Sequence, residues 1–172
     1  MKREEAVLVF IDVQGKLHEL MHEKDILDAN LEKLIRCAQM LDIPILGTEQ
    51  IPEKLGTTRE PFKSLLSNIP LTAKTAFSCC GEPEFLKALQ SLGKGQLILA
   101  GIETHVCVYQ TALDLLESGY EVMVAADAVG SRAPENKALA LQAMRDAGAQ
   151  ILPTETILFS LLRDASDPHF RE

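Results

Sequence analysis

The chain has 172 residues, 47% of them hydrophobic, enough to bury one substantial core, and residues 1–172 are read as a single domain. Its formal net charge of -8 argues against a nucleic-acid or anionic-membrane binder, and no apolar run nears the roughly 20 residues of a membrane span. The opening MKREEAVLVFID enters a strand at once and leaves no room for a signal peptide, so a cytoplasmic location is expected.

Ala6–Ile11 is a short, unbroken apolar run ending at Asp12, the pattern of a parallel strand covered on both faces. Asp12-Val13-Gln14-Gly15 leaves it through a polar turn. A helix is predicted to start near Asp25 or Asp28, with Ile26, Leu27, Leu31, Leu34, Ile35 and Ala38 inward, and Asp42-Ile43-Pro44 ends it. Pro44–Gly47 supplies a short second strand, and Thr48–Thr58 reads as a long polar loop. Pro61 opens a short helix through Leu66, closed by Asn68–Pro70. Leu71–Ser78 is a short strand or extended segment presenting Lys74. Glu82–Leu92 is helical, with Pro83 early and Gly93 at its end.

The rest is organised around Gln96–Gly119. Leu97–Ala100 reads as a buried strand, Gly101 opens a tight turn, and the following helix carries Cys107 in its first turn. Val108, Ala112, Leu115 and Leu116 recur at helical spacing, while Cys107 and Thr111 fall on another face. Thr104 is placed to cap this helix, and Gly119 suits the left-handed residue beyond its end. A thiol near the amide-rich end of a helix is expected to favour thiolate. Glu121–Ala125 makes another buried strand running into Asp127, and Pro134–Ala147 a helix ending at Gly148. Gln150–Leu152 is a short last strand, Thr154–Leu162 a helix with a partial capping box, and Asp164–Glu172 a polar tail over the surface or against a neighbouring subunit.

Strands alternating with helices make an α/β protein with a mainly parallel sheet and right-handed crossovers. Ligands bind such sheets beyond the carboxyl ends of the strands, where the winding reverses. With the first and fourth strands adjacent there, Asp12 and Cys107 converge, and Lys74 arrives from the third. A carboxylate, an ammonium and a thiol form a workable nucleophilic set: base, charge stabiliser and attacking sulfur. Backbone N–H groups of the Gly101–Cys107 turn are candidates for an oxyanion site. Each residue also has a plainer reading: Asp12 as a turn former, Lys74 as a solvated lysine, Cys107 as a small core residue. Of the other cysteines, Cys37 reads as a packed thiol, and geometry disfavours a disulfide between the neighbours Cys79 and Cys80.

The segments FIDVQ, TEQIPEKLG, AKTAFS, AGIETHVCVYQTALDLLESGYEV, ADAVGSR and PTETILFSLL follow one another along nearly the whole chain. In that order they resemble the isochorismatase-like cysteine hydrolase superfamily, most closely the branch labelled isochorismatase domain-containing proteins. The resemblance implies a three-layer, Rossmann-like α/β fold with about six strands, and a triad at Cys107, Asp12 and Lys74. It also implies a non-proline cis peptide at Ile102–Glu103, with the Glu103 and Cys107 amides as the oxyanion hole, and self-association as a dimer or tetramer. Nicotinamidases of this superfamily hold a metal with an Asp and histidines after the second strand. This chain has Thr48-Glu49-Gln50 there and no His between His22 and His105, so neither metal nor cofactor is expected.

Gln14, Glu49, Gln50, Phe77 and Ile102 are taken as walls of a small-molecule pocket. His105 is turned from the sulfur by helix geometry and is read as structural or interfacial. Asp127 and Arg132 are read as an ion pair or subunit contact. The expected activity is hydrolysis of a small amide or related C–N compound through a thioester. Two rivals are a silent binding or regulatory protein on the same fold and a thiol redox protein using Cys107 or Cys79-Cys80.

Overall fold

The computed structural model describes residues 1–171. Six parallel strands form one sheet in the order β3-β2-β1-β4-β5-β6. They are β1 (Ala6–Ile11), β2 (Ile45–Gln50), β3 (Leu71–Lys74), β4 (Gln96–Ile102), β5 (Glu121–Gly130) and β6 (Gln150–Leu152). The helices are α1 (Gly15–Glu19), α2 (Lys24–Met40), α3 (Pro52–Leu55), α4 (Phe62–Leu65), α5 (Pro83–Leu92), α6 (Tyr109–Glu117), α7 (Pro134–Asp146) and α8 (Thr154–Leu162). A π-helical turn, Thr104–Val108, leads into α6. Among the described residues no helix is long and apolar enough to cross a membrane.

Every residue of β1 is buried, because alternate side chains serve opposite cores. Leu8 and Phe10 join Ile98 and Ala100 of β4 beneath α2, α4 and α8. Val7, Val9 and Ile11 join Leu97 and Leu99 beneath α5, α6 and α7. The result is the three-layer α/β architecture, and the winding reverses between β1 and β4, which pair from Ala6↔Gln96 to Ile11↔Gly101.

Several boundaries differ from the sequence reading. The strand β2 runs on to Gln50, so Glu49 and Gln50 lie on a strand and not in a loop; β3 extends the ladder there through Gln50↔Lys74. A register shift between Leu99 and Gly101 lets β5 continue to Gly130, which carries Asp127 inside the strand. The short helix α1 was not anticipated, and Ile26 faces solvent because α2 turns Leu27 inward instead. Thr154 has no capping box of its own: its N–H and hydroxyl both donate to Asp127 Oδ1 at 2.7 Å. Asp127 is thus the cap of α8, not an ion partner of Arg132. The tail forms a 3-10 turn at Pro168–Arg171, tied down by Asp167 against Arg3 and Phe170 against Phe159; Glu172 lies outside the described residues.

Candidate active site

The site gathers at the carboxyl ends of β1, β3 and β4. Asp12 leaves β1 in the left-handed conformation, φ 51°, one of the few that Asp tolerates better than most residues. Its N–H donates to the Thr48 carbonyl at 3.2 Å, which ties it to β2. Across from it Gly101 has φ 126°, and a Cβ there would lie 2.1 Å from the Ile11 carbonyl oxygen. Only glycine lets β4 pass β1 so closely. The Ile102–Glu103 peptide is cis. The Glu103 carbonyl then accepts from the N–H groups of Val106 (3.1 Å) and Val108 (3.2 Å), and the second of these widens the turn into a π-helical one.

Cys107 therefore sits in that wide turn and not in the first turn of a regular helix. Thr104 does not cap it: its hydroxyl is buried with no hydrogen-bond partner. The Glu103 side chain accepts from both N–H (3.1 Å) and Nε (3.2 Å) of Arg132, and His105 Nδ1 lies 3.0 Å from Ser131 Oγ. These contacts join the ends of β4 and β5. Arg132 thus pairs with Glu103.

The charged centre is fully enclosed. Lys74 Nζ lies 2.7 Å from Asp12 Oδ2, and both side chains are buried. It is also 2.6 Å from Gln50 Oε1, 2.9 Å from the Phe77 carbonyl and 3.1 Å from the Ala76 carbonyl. All four neighbours of this nitrogen are oxygens, so Lys74 acts here as a donor. It donates to Gln50, Ala76 and Phe77, and Asp12 Oδ2 is held by charge without an aligned hydrogen bond. The other oxygen, Oδ1, accepts from the Thr48 hydroxyl at 2.8 Å. A buried pair of this kind is favourable only when its remaining lone pairs and protons are satisfied; here the protein does so for Lys74 and for Oδ1, and leaves Oδ2 to the ammonium's charge alone.

The Cys107 thiol lies within reach of the Asp12 charge. Burial above all, then the Asp12 charge, pushes that thiol up to about 12, against the opposing pull of Lys74. The expectation of a ready thiolate is thereby corrected: removal from water and a nearby carboxylate outweigh the helix amides and the ammonium. At neutral pH the sulfur carries its proton beside a carboxylate. Cys79, buried behind it, is pushed up to about 11, again chiefly by burial. Among the described residues all four cysteines are free, which removes the vicinal disulfide.

Of the five predicted pocket walls, Gln14 and Gln50 are supports. Gln14 Nε2 donates to the carbonyls of Gln50 (3.1 Å) and Gly56 (2.5 Å), and its Oε1 accepts from the Gln50 N–H at 2.6 Å. Gln50 spends its side chain on Lys74 and on the Thr75 carbonyl at 2.8 Å. Glu49 Oε1 accepts from the Thr58 N–H at 2.5 Å and so closes the 51–58 segment. Ile102 is buried against Gly130, and the Phe77 side chain is exposed while its carbonyl holds Lys74. Thr48 and Cys79 were missed. Had β2 been extended, its alternation would have put Thr48 and Gln50 on one face with Leu46. Among the described residues no group of three or more His, Cys, Asp or Glu is gathered to hold a metal ion.

Comparison with known proteins gives a consistent result. Residues 6–156 match the family described as Isochorismatase domain. Isochorismatase domain-containing protein 2A of Mus musculus is 37% identical over 172 residues, covering 98% of this chain and 81% of that protein. The solved structure of MAR1 ribonuclease from Caenorhabditis elegans superposes with a TM-score of 0.93 at 35% identity, covering 99% of this chain and 88% of that one. YcaC from Pseudomonas aeruginosa, solved with hexane-2,5-diol and covalent acrylamide, superposes at 0.92 and 29% identity, covering 96% and 84%.

Proposed function

The chain belongs to the isochorismatase family, which supports a hydrolase, and from that premise we propose a cysteine hydrolase of small amides or related C–N compounds that needs no metal. The observation that carries this reading is the enclosed Asp12–Lys74 pair set against a protonated Cys107. As the sulfur attacks the carbonyl carbon, its proton passes to Asp12, so no free thiolate has to accumulate. Lys74 offsets the negative charge at each stage. The Glu103 and Cys107 amides receive the oxyanion of the tetrahedral intermediate. Collapse breaks the C–N bond, and the amine leaves with the proton held by Asp12. A water molecule then gives a proton to Asp12, attacks the thioester, and releases the acid as the thiol regains its proton.

The acrylamide bound covalently to the 29%-identical YcaC is in keeping with an electrophile-reactive site on this scaffold. The ribonuclease relative raises a second reading, RNA cleavage. A net charge of -8 and a Cys107 only 7% exposed favour a small neutral substrate.

Iodoacetamide labelling of Cys107 across pH, mapped by peptide, tests the triad directly. In Asp12→Asn the labelling inflection should move to lower pH, because the charge opposing thiolate is gone while Lys74 remains. In Lys74→Ala it should move to higher pH or slow throughout. An inflection unmoved in both variants overturns the proposal. Ammonia release from a panel of small amides, with a single-stranded RNA as the competing substrate, then assigns the class, and Cys107→Ala should abolish it with the fold intact.

A further inference from the structure

His18 takes no part in the candidate active site, yet its side chain is fully buried. Both ring nitrogens are engaged. Nε2 lies 2.5 Å from Asp28 Oδ1 on α2, and Nδ1 lies 2.7 Å from a guanidinium nitrogen of Arg59. A guanidinium is always charged and only donates, so Nδ1 must offer its lone pair. The one ring hydrogen therefore sits on Nε2 and goes to Asp28. With Arg59 in place, His18 is neutral and held in a single tautomer.

Arg59 ends a segment that leans on the turn just beyond Asp12. Thr58 forms an isolated antiparallel bridge with Gln14, and the Gly56 carbonyl accepts from Gln14 Nε2 at 2.5 Å. The Arg59 N–H reaches the Val13 carbonyl at 3.3 Å, and a Cβ on Gly15 would lie 2.7 Å from the Leu55 carbonyl oxygen. Gln14 in turn holds the Gln50 N–H, and Gln50 accepts from Lys74. The segment is thus joined by hydrogen bonds to the residues around Lys74.

We propose that His18 and Arg59 form a pH-sensitive clasp, which holds residues 54–60 against Gln14 and releases them when the imidazole takes a second proton. Nδ1–H would then meet the guanidinium donor against donor and cation against cation. The clasp does not depend on what Cys107 does. Among the described residues three charged groups face the ring: Asp28 from α2, Arg59 from the segment, and Glu19 from α1, the last also held by Lys24. Burial first, and then the Arg59 charge, outweigh the two carboxylates and keep the ring below its ordinary value of 6.5. Release returns water to the ring and removes the guanidinium, so the open form binds the proton more tightly. Opening therefore gains up to about tenfold for each pH unit below the ordinary value, and levels off once the clasped ring is itself protonated.

Nitrogen-15 NMR of the histidine rings, with His18 assigned by its loss in His18→Gln, should show the Nε2–H tautomer at neutral pH. Hydrogen exchange at 54–60, taken as protection relative to an unstructured peptide at each pH, then reads the clasp. In wild type that protection should fall in step with His18 protonation, while β1 and β4 keep theirs. Arg59→Gln should already have lost about tenfold or more of it at pH 7. His18→Gln offers an oxygen to Arg59 and a hydrogen to Asp28 without titrating, and should stay protected on acidification. Should that variant not fold, the wild-type profile and Arg59→Gln still decide. An Nδ1–H tautomer overturns the clasp, as does protection that survives the His18 titration. So does a segment as protected in Arg59→Gln as in wild type, or an acid-induced loss that His18→Gln leaves in place. A loss shared equally by β1 and β4 is unfolding of the whole chain and overturns it too.

Discussion

The two sides of the cleft are built on different principles. On the β1–β3 side the chemistry lies in buried side chains: Asp12, Lys74, Thr48 and Gln50 satisfy one another across separations of 36 residues for Thr48–Asp12 and 24 for Lys74–Gln50. On the β4–β5 side it lies in the backbone. There Gly101, the cis peptide and the π-helical turn shape one continuous stretch, and side chains such as Arg132 brace it from outside. A buried charge needs partners brought from afar, because neighbours on one strand point to opposite faces. Aiming a run of amides needs only local dihedrals and room for them.

Three single variants and one double variant press on this contrast. Lys74→Ala should be the most damaging, destabilising by about 3–5 kcal/mol, because it leaves the Asp12 carboxylate buried without its counter-charge. Urea unfolding followed by circular dichroism measures it, since the chain has no Trp. The double variant Asp12→Asn/Lys74→Met should recover most of that loss; if it does not, packing and not charge dominates this side.

Gly101→Ala should come next, at about 2–4 kcal/mol, from a left-handed backbone and a methyl driven into Ile11. The same titration reads it, and a variant as stable as wild type would mean that β1 and β4 can part. The smallest effect belongs to Arg132→Ala. Its side chain is 57% exposed, so loss of the Glu103 contact should cost about 0.5–1 kcal/mol and weaken further in salt. A larger, salt-independent loss would move this side chain from bracing into the core of the site.

How much of this was legible varies by element. The apolar runs at 6–11 and 97–100 and the helical stripe of Val108, Ala112 and Leu115 announced a layered parallel sheet, since burial on both faces leaves a continuous apolar signature. The end of β2 was not legible: Thr48, Glu49 and Gln50 are polar, and a polar run reads as loop unless the partners that satisfy it are known. The Cys107 proton was misjudged for a related reason. Proximity to helix amides is local and visible, whereas the desolvation and the Asp12 charge that outweigh it come from packing.

The sequence by itself determined the alternation of six strands with the larger helices and the family whose motifs Asp12, Lys74 and Cys107 occupy. Periodicity and turn chemistry are short-range properties, readable within a dozen residues. Only the tertiary structure decided that Thr48 holds one oxygen of Asp12, that Gln50 and two carbonyls surround Lys74, and that Cys107 keeps its proton. Those are outcomes of burial: once water is excluded, each polar atom must take whichever partner the fold has placed opposite it, and that placement is written in no single stretch of the chain.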